Sequence, residues 1–248
     1  MKKTTIFSYI FLLIIAATSC KKDSGSGNAS NKIKSYTEDI TAIGGHVAET
    51  FNVNYDEQGR VTIIESTTKP GHRMVYQYSA ENSFTYDKFE DNKITYHSIN
   101  FINSQSLLDS TWWYNNMNDT SASKYIYNAD KKLTKQKQYI IKFQYLPYPV
   151  LYNTVSYQYD LKGTLVKETD QGYYETSYAY DKELKNTVQL APSYFPSNEE
   201  LPSHTYTTRL GTTFETKHSY TFDGNNRVIS ERQERNDGRI TVMSYTYE

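Results

Sequence analysis

The sequence predicts an all-β fold: an antiparallel up-and-down meander of repeated β-hairpins, forming a curved sheet or a small barrel-like structure. Three observations lead there. An aromatic–x–aromatic phrase followed by a turn recurs along the chain. The composition combines 25 tyrosines with only 37% hydrophobic residues. Tyrosine favours strands, packs through its ring and keeps its hydroxyl wet, so this mixture suits a broad sheet with a thin core. Finally, aromatic anchors at Tyr55, Tyr78, Tyr127, Tyr159, Tyr180, Phe222 and Tyr247 recur about every 20 to 30 residues, or twice that, the spacing of stacked supersecondary units.

The elements follow in order. Residues 1–19 read as an export signal: Lys2 and Lys3 form a basic start, and Ile6 to Ala17 is an apolar run too short to span a bilayer as a helix. Ala17-Thr18-Ser19 leads into Cys20, the one cysteine of the chain, in a pattern that resembles a bacterial lipobox with alanine where leucine is usual. Cys20 is therefore expected to carry lipid and to tether the protein to a membrane. The alternative is an ordinary cleaved signal with an incidental thiol, an awkward group to keep in an exported protein. Residues 20–31 continue as a Gly/Ser-rich flexible tether, and residues 32–248 as one β domain.

The recurring phrase reads most clearly in Tyr55-Asp56-Glu57-Gln58-Gly59-Arg60-Val61, in Tyr157-Gln158-Tyr159-Asp160 through Gly163 to Leu165, and in Tyr220-Thr221-Phe222-Asp223 through Asn226 to Val228. One local structure satisfies it. The aspartate caps a type I turn through its own backbone, and the glycine takes positive φ to form the bulge that closes such a hairpin. Weaker copies read at Tyr125 to Leu133, with Lys131 in the glycine place, at Tyr178 to Leu184 with a shortened turn, at Tyr76 to Asn82, and at Tyr86-Asp87 leading to Asp91-Asn92. Tyr245-Thr246-Tyr247 reads as an up-strand without its turn.

These residues resemble the YD repeat of the Rhs family, whose core is Tyr-Asp-x-x-Gly-Arg-Leu. Tyr55 to Val61 matches it nearly residue for residue, and the likeness extends over most of residues 50 to 248. With the lipoprotein start, the chain looks like secreted Bacteroidota lipoproteins of unknown function, including a family described as having a porin-like fold. That resemblance implies a curved sheet or small barrel in the cell envelope and no chemistry. The short copy number and the lack of a toxin-like segment argue against the closed shell that such repeats build in large Rhs proteins. A transmembrane barrel needs an apolar residue at every second position of its strands. Lys167 to Gly172 and Glu231 to Asp237 offer none.

Composition and motifs exclude several chemistries. With 27 basic and 28 acidic residues, net charge −1, no basic excess exists for nucleic acid. His46, His72, His97, His204 and His218 form no metal-ligand spacing, and no cofactor is expected. No nucleophile elbow appears, and Ser121-Ala122-Ser123-Lys124 matches a serine–lysine spacing only by letter, since it precedes a strand. Most aspartates occupy turn positions, so an enzyme is not expected, although a glycosidase carboxylate pair is defined in space and not in sequence.

Candidate binding residues lie where the phrase breaks. In Trp112-Trp113-Tyr114, period two sends one Trp to each face, so one packs and the other covers the sheet or contacts a ligand. Tyr148, in the proline-bounded stretch Tyr145 to Val150, and Tyr194-Phe195, in the proline-rich stretch Leu190 to Pro202, complete the set. The latter stretch reads equally as a functional loop or as a lid over an open barrel end. The expected function is a non-catalytic module for a glycan or an envelope protein, tethered to the outer membrane and facing the periplasm or the exterior. The alternatives are a passive structural component or a glycan hydrolase.

Overall fold

The computed structural model describes residues 30–42, 44–79, 82–114, 120–142, 149–171, 173–194 and 199–248. They form sixteen strands: β1 (Ile33–Ala42), β2 (Gly45–Tyr55), β3 (Val61–Ser66), β4 (Arg73–Tyr78), β5 (Ser83–Glu90), β6 (Lys93–Ile102), β7 (Leu108–Tyr114) and β8 (Thr120–Tyr127). The second half holds β9 (Leu133–Lys142), β10 (Val150–Tyr159), β11 (Leu165–Asp170), β12 (Tyr174–Ala179), β13 (His204–Arg209), β14 (Thr212–Phe222), β15 (Val228–Arg235) and β16 (Ile240–Tyr247). Each strand pairs antiparallel with its neighbours in sequence, and β1 pairs with β16, so the meander closes into a barrel. The predicted up-and-down meander is observed, and the choice between curved sheet and barrel falls to the barrel.

The recurring phrase builds one end of that barrel. In each clear copy the aspartate, or its substitute, accepts main-chain N–H groups of its own turn. Asp160 Oδ1 accepts from Lys162 and Thr164, both at 2.9 Å, and Asp223 Oδ1 from Asn225 and Arg227, both at 2.9 Å. The position after the turn takes positive φ as predicted: Gly59 at 76°, Gly163 at 83°, and without glycine Lys131 at 62° and Asn226 at 59°. A register shift follows beside each tip, between Asn54 and Tyr55, Ile126 and Tyr127, Gln158 and Tyr159, and Thr221 and Phe222.

The phrase also stitches hairpins together. The β3–β4 register runs to Ile63↔Val75, so the Val61 carbonyl lies beyond the ladder. Tyr78 Oη donates to it at 2.8 Å. The same bond joins Tyr55 to Ile33 (3.0 Å), Tyr127 to Leu108 (2.8 Å), Tyr159 to Leu133 (2.8 Å), Tyr180 to Leu165 (2.8 Å) and Tyr247 to Val228 (2.7 Å). Arginine adds a third link. Arg60 bonds Asp56 through Nε at 2.7 Å and lays its guanidinium over the Tyr78 ring at 4.0 Å, and Arg227 repeats this with Asp223 and Tyr247.

Two weak copies prove different. Tyr86-Asp87 lies within β5, whose turn at Asp91-Asn92 is at the opposite end of the barrel, so period-two alternation and not turn capping explains Tyr86. After Tyr180 the chain does not return as a hairpin. Residues 181–194 and 199–203 instead lie across the turn end as a plug, because Leu184, Val188, Leu190 and Leu201 find apolar partners there. Leu201 is buried with the wall residues Ile33, Val61, Phe84, Leu108 and Val228 in the hydrophobic core, and Leu184, Val188 and Leu190 pack against it. The plug also satisfies wall backbone that the bulges leave unpaired: Val228 N–H donates to Thr187 Oγ1 at 2.9 Å and Leu108 N–H to the Tyr194 carbonyl at 3.2 Å. Ion pairs Lys132–Glu199, Lys162–Glu183 (2.5 Å) and Lys185–Glu200 (3.3 Å) rim it. Of the two readings of the proline-rich stretch, the described part is the lid.

Candidate functional site

Alternation along each strand decides what faces the lumen. On β14, Phe214, Thr216, His218, Tyr220 and Phe222 are half-buried, while Thr213, Glu215, Lys217, Ser219 and Thr221 between them are exposed. Arg232 and Glu234 on β15 continue that polar outer wall. Its pattern is the reverse of a lipid-facing barrel, which needs an apolar band about 25 Å tall outside. Among the described residues no helix is long and apolar enough to cross a membrane, which says nothing of strands.

Trp112-Trp113-Tyr114 splits as period two requires. Trp113 turns inward to the lumen. Trp112 and Tyr114 turn outward, 38% and 41% exposed. Register places Ile99, Trp112, Ala122, Tyr139 and Leu151 side by side across β6 to β10 on the outer wall. Tyr114 lies at one flank with its ring 5.7 Å from that of His97. Tyr194 is committed to the interior, its ring 5.9 Å from Phe84. Cys20, Tyr148 and Phe195 lie outside the described residues.

The plugged end leaves the opposite half of the barrel open. There a cavity of about 840 Å³ runs from Ala191 of the plug to Lys88, Glu90 and Thr95 at the rim. Tyr76, Tyr86, Tyr96, Tyr125 and Trp113 wall it, with Ser98, Asn100, Thr111 and Gln136 between them. Asn100 is fixed by its own network: Nδ2 donates to Ser98 Oγ at 3.1 Å, and Oδ1 accepts from Thr111 Oγ1 at 2.9 Å. Burial raises the tyrosine pKa values here, Tyr86 to about 12, so the phenols are neutral hydrogen-bonding groups at neutral pH. The sequence reading missed Tyr76, Tyr86, Tyr96 and Tyr125 as site residues. Their i, i+2 parity with Trp113 across the strands is the signal that could have found them.

Further round the lumen, Glu168 accepts from the hydroxyls of Tyr174 (2.6 Å) and Tyr178 (3.3 Å). Burial works to raise the pKa of Glu231, but hydrogen bonds from His218, at 3.0 Å, and Gln233 bring it below the usual carboxylate range. In the larger cavity the lining carboxylate is Glu90, paired with Lys88 at 2.7 Å, which holds its pKa down. A glycosidase acid needs a raised value and a second carboxylate at defined separation, and Glu90 has neither in that lining. No group of three or more potential metal-ligating side chains occurs among the described residues.

Fold and site together define a closed, sixteen-stranded, up-and-down β-barrel with one end plugged and an aromatic lumen open at the other. Solved structures of the same architecture exist. A porin-like protein from Bacteroides uniformis superposes with a TM-score of 0.64 over 87% of this chain and 96% of that one, at 13% identity. A porin-like protein from Bacteroides vulgatus gives 0.52 over 88% and 99%, at 11% identity. At such identity the likeness is one of fold. No protein-family model matches the chain, and no curated protein matches it in sequence.

Proposed function

We propose that the protein is a non-catalytic binding lipoprotein of the outer membrane that holds a glycan in the open half of its barrel. The observation that carries this reading is the cavity of about 840 Å³ walled by Trp113 and tyrosines, with neutral hydrogen-bonding groups spaced between the rings. Aromatic faces take the apolar C–H faces of a sugar, and Ser98, Asn100, Thr111 and Gln136 match its hydroxyls. The polar outer wall favours attachment through lipid on Cys20 over insertion of the barrel. Ser30, where the tether joins the domain, accepts a hydrogen bond from Arg227 at the plugged end. A lipid anchor on that tether attaches the domain at its plugged end, opposite the open mouth.

A second reading has its own support. The outward row Ile99, Trp112, Tyr139 and Leu151, with Ala122 covered between its neighbours, is a contiguous apolar strip that suits an envelope protein.

The test uses the two tryptophans of the chain. Trp112→Phe leaves Trp113 as the sole indole, inside the lumen. Titration with neutral oligosaccharides is expected to shift or quench its emission saturably, whereas binding that leaves the emission unchanged but is lost in Trp112→Ser moves the site to the outer wall. A protein that binds neither saccharides nor envelope extracts is a passive component. For the anchor, Cys20→Ala is expected to release the protein from the membrane fraction, and continued retention removes the lipidation reading.

A further inference from the structure

A second cavity, of about 510 Å³, opens at the same mouth across β9 to β13. Two buried side chains that line it each hold an acceptor without a donor among the described residues. Asn153 is 5% exposed and Asp170 9% exposed, and the Oδ1 atom of each lacks a hydrogen-bond donor. An unsatisfied buried acceptor is destabilising, and most are satisfied in native proteins. Two in one cavity mark a place where donors arrive from outside the chain.

The backbone is shaped for this. The β9–β10 register shifts between Leu151 and Asn153, leaving Tyr152 as an extra residue, so that Tyr152 and Asn153 both line the cavity although they are neighbours in sequence. Bulges re-aim side chains in this way beside functional sites. The Asn153 amide is held by Nδ2 donating to Gln138 Oε1 at 2.9 Å, and its carbonyl has no donor among the described residues. Tyr152 and Tyr173 are exposed in the lining, and Arg209 lies in one row with Asp170, across Tyr174, with no ion pair among the described residues.

We infer that this cavity is a saccharide subsite: one sugar unit donates hydroxyls to Asn153 and Asp170, accepts from Arg209, and lies against the Tyr152 or Tyr173 ring. The carboxylate and guanidinium cancel in charge, so the unit is neutral. A bare cation fits poorly, because one carboxylate and one amide face Arg209. The two cavities adjoin along β9, where Gln136 lines the larger and Gln138 the smaller, two residues apart on one face. The ligand is therefore a chain that occupies both, and this inference rests on the proposed glycan reading.

The experiment is a length series of cello-, malto- and chito-oligosaccharides, from monosaccharide to hexasaccharide, titrated calorimetrically into the full-length protein and into Asp170→Leu and Asn153→Leu. Affinity is expected to rise with length in the wild type. Each variant loses that gain, about ten- to hundredfold for the longer chains, while short saccharides bind unchanged beside Trp113. Variants that bind every length as the wild type does overturn the subsite and leave the glycan reading standing. A wild type that binds no saccharide overturns both. If Asp170→Leu fails to fold, Asp170→Asn, which replaces one acceptor by a donor, must show the same selective loss.

Discussion

The hydroxyl of Tyr78 donates to the carbonyl of Val61 at 2.8 Å, joining the end of one strand to the start of its neighbour where their ladder has already stopped. Tyrosine thus does in this barrel what further strand pairing would do elsewhere. Tyr78→Phe keeps the ring and strands the carbonyl, and is expected to cost about 1–3 kcal/mol, read as a lower urea midpoint at unchanged slope. Tyr159→Phe, which frees Leu133, should cost as much, and the two losses should add, since they lie on separate hairpins. A neutral outcome for both would show that the bonds are incidental.

The turn position sets a second expectation. Gly59 has φ of 76°, and a Cβ there would stand 3.2 Å from Lys32 Cε, a flexible neighbour that can move. Gly59→Ala is expected to destabilise by about 1–2 kcal/mol through the backbone. Lys131, at φ 62° without glycine's freedom, should gain from Lys131→Gly, by up to about 1 kcal/mol. Thermal melts of the pair decide it, and equal shifts in one direction would contradict the conformational account.

Leu201 is the plug's buried residue in the core, so Leu201→Ala is expected to cost about 2–5 kcal/mol. Limited proteolysis should then cut the plug first. Cleavage in a hairpin of the wall before the plug would contradict the anchoring of the plug through Leu201.

Alkaline pH should unfold the barrel. Burial raises the Tyr86 and Tyr180 hydroxyls to about 12 from an ordinary 10.0, and raises those of Tyr76, Tyr157 and Tyr220 as well. Both states hold these protons below pH 10. Above it the unfolded chain releases protons that the native barrel keeps, so stability is full below about 10 and falls as pH rises toward 12 and beyond. Tyrosinate absorbance and far-ultraviolet dichroism should change together, whereas full ionisation at about pH 10 with the sheet intact would refute the burial.

Much of this was legible in residues. The hairpin tips follow from Asp, Gly and period-two aromatics, and even the substituted tips at Lys131 and Asn226 take the backbone that the pattern demands. The tip at Asn103 to Leu107 escaped notice because Phe101-Ile102 replaces the aromatic pair, although Asn103 Oδ1 caps it through Gln105 and Leu107 and Ser106 takes positive φ. Tyr180-Asp181 has the letters of a tip but leads into the plug, since the apolar residues that follow outweigh a turn signal. The lumen divides the same way. Alternation foretold opposite faces for Trp112 and Trp113, but no local pattern holds the register shift at Tyr152 that adds its ring to the cavity lined by Asn153 and Asp170.

Closure itself has a kinetic consequence. Ser35 and Thr246 share a hydrogen bond at 2.7 Å although 211 positions separate them. Every other seam of the wall joins neighbours in sequence and can zip as the chain is made. This seam waits for β16, and until then β1 presents an unpaired edge, the state in which such sheets aggregate. The slowest folding event, and the point at which a holding chaperone matters most, is therefore the joining of the first strand to the last.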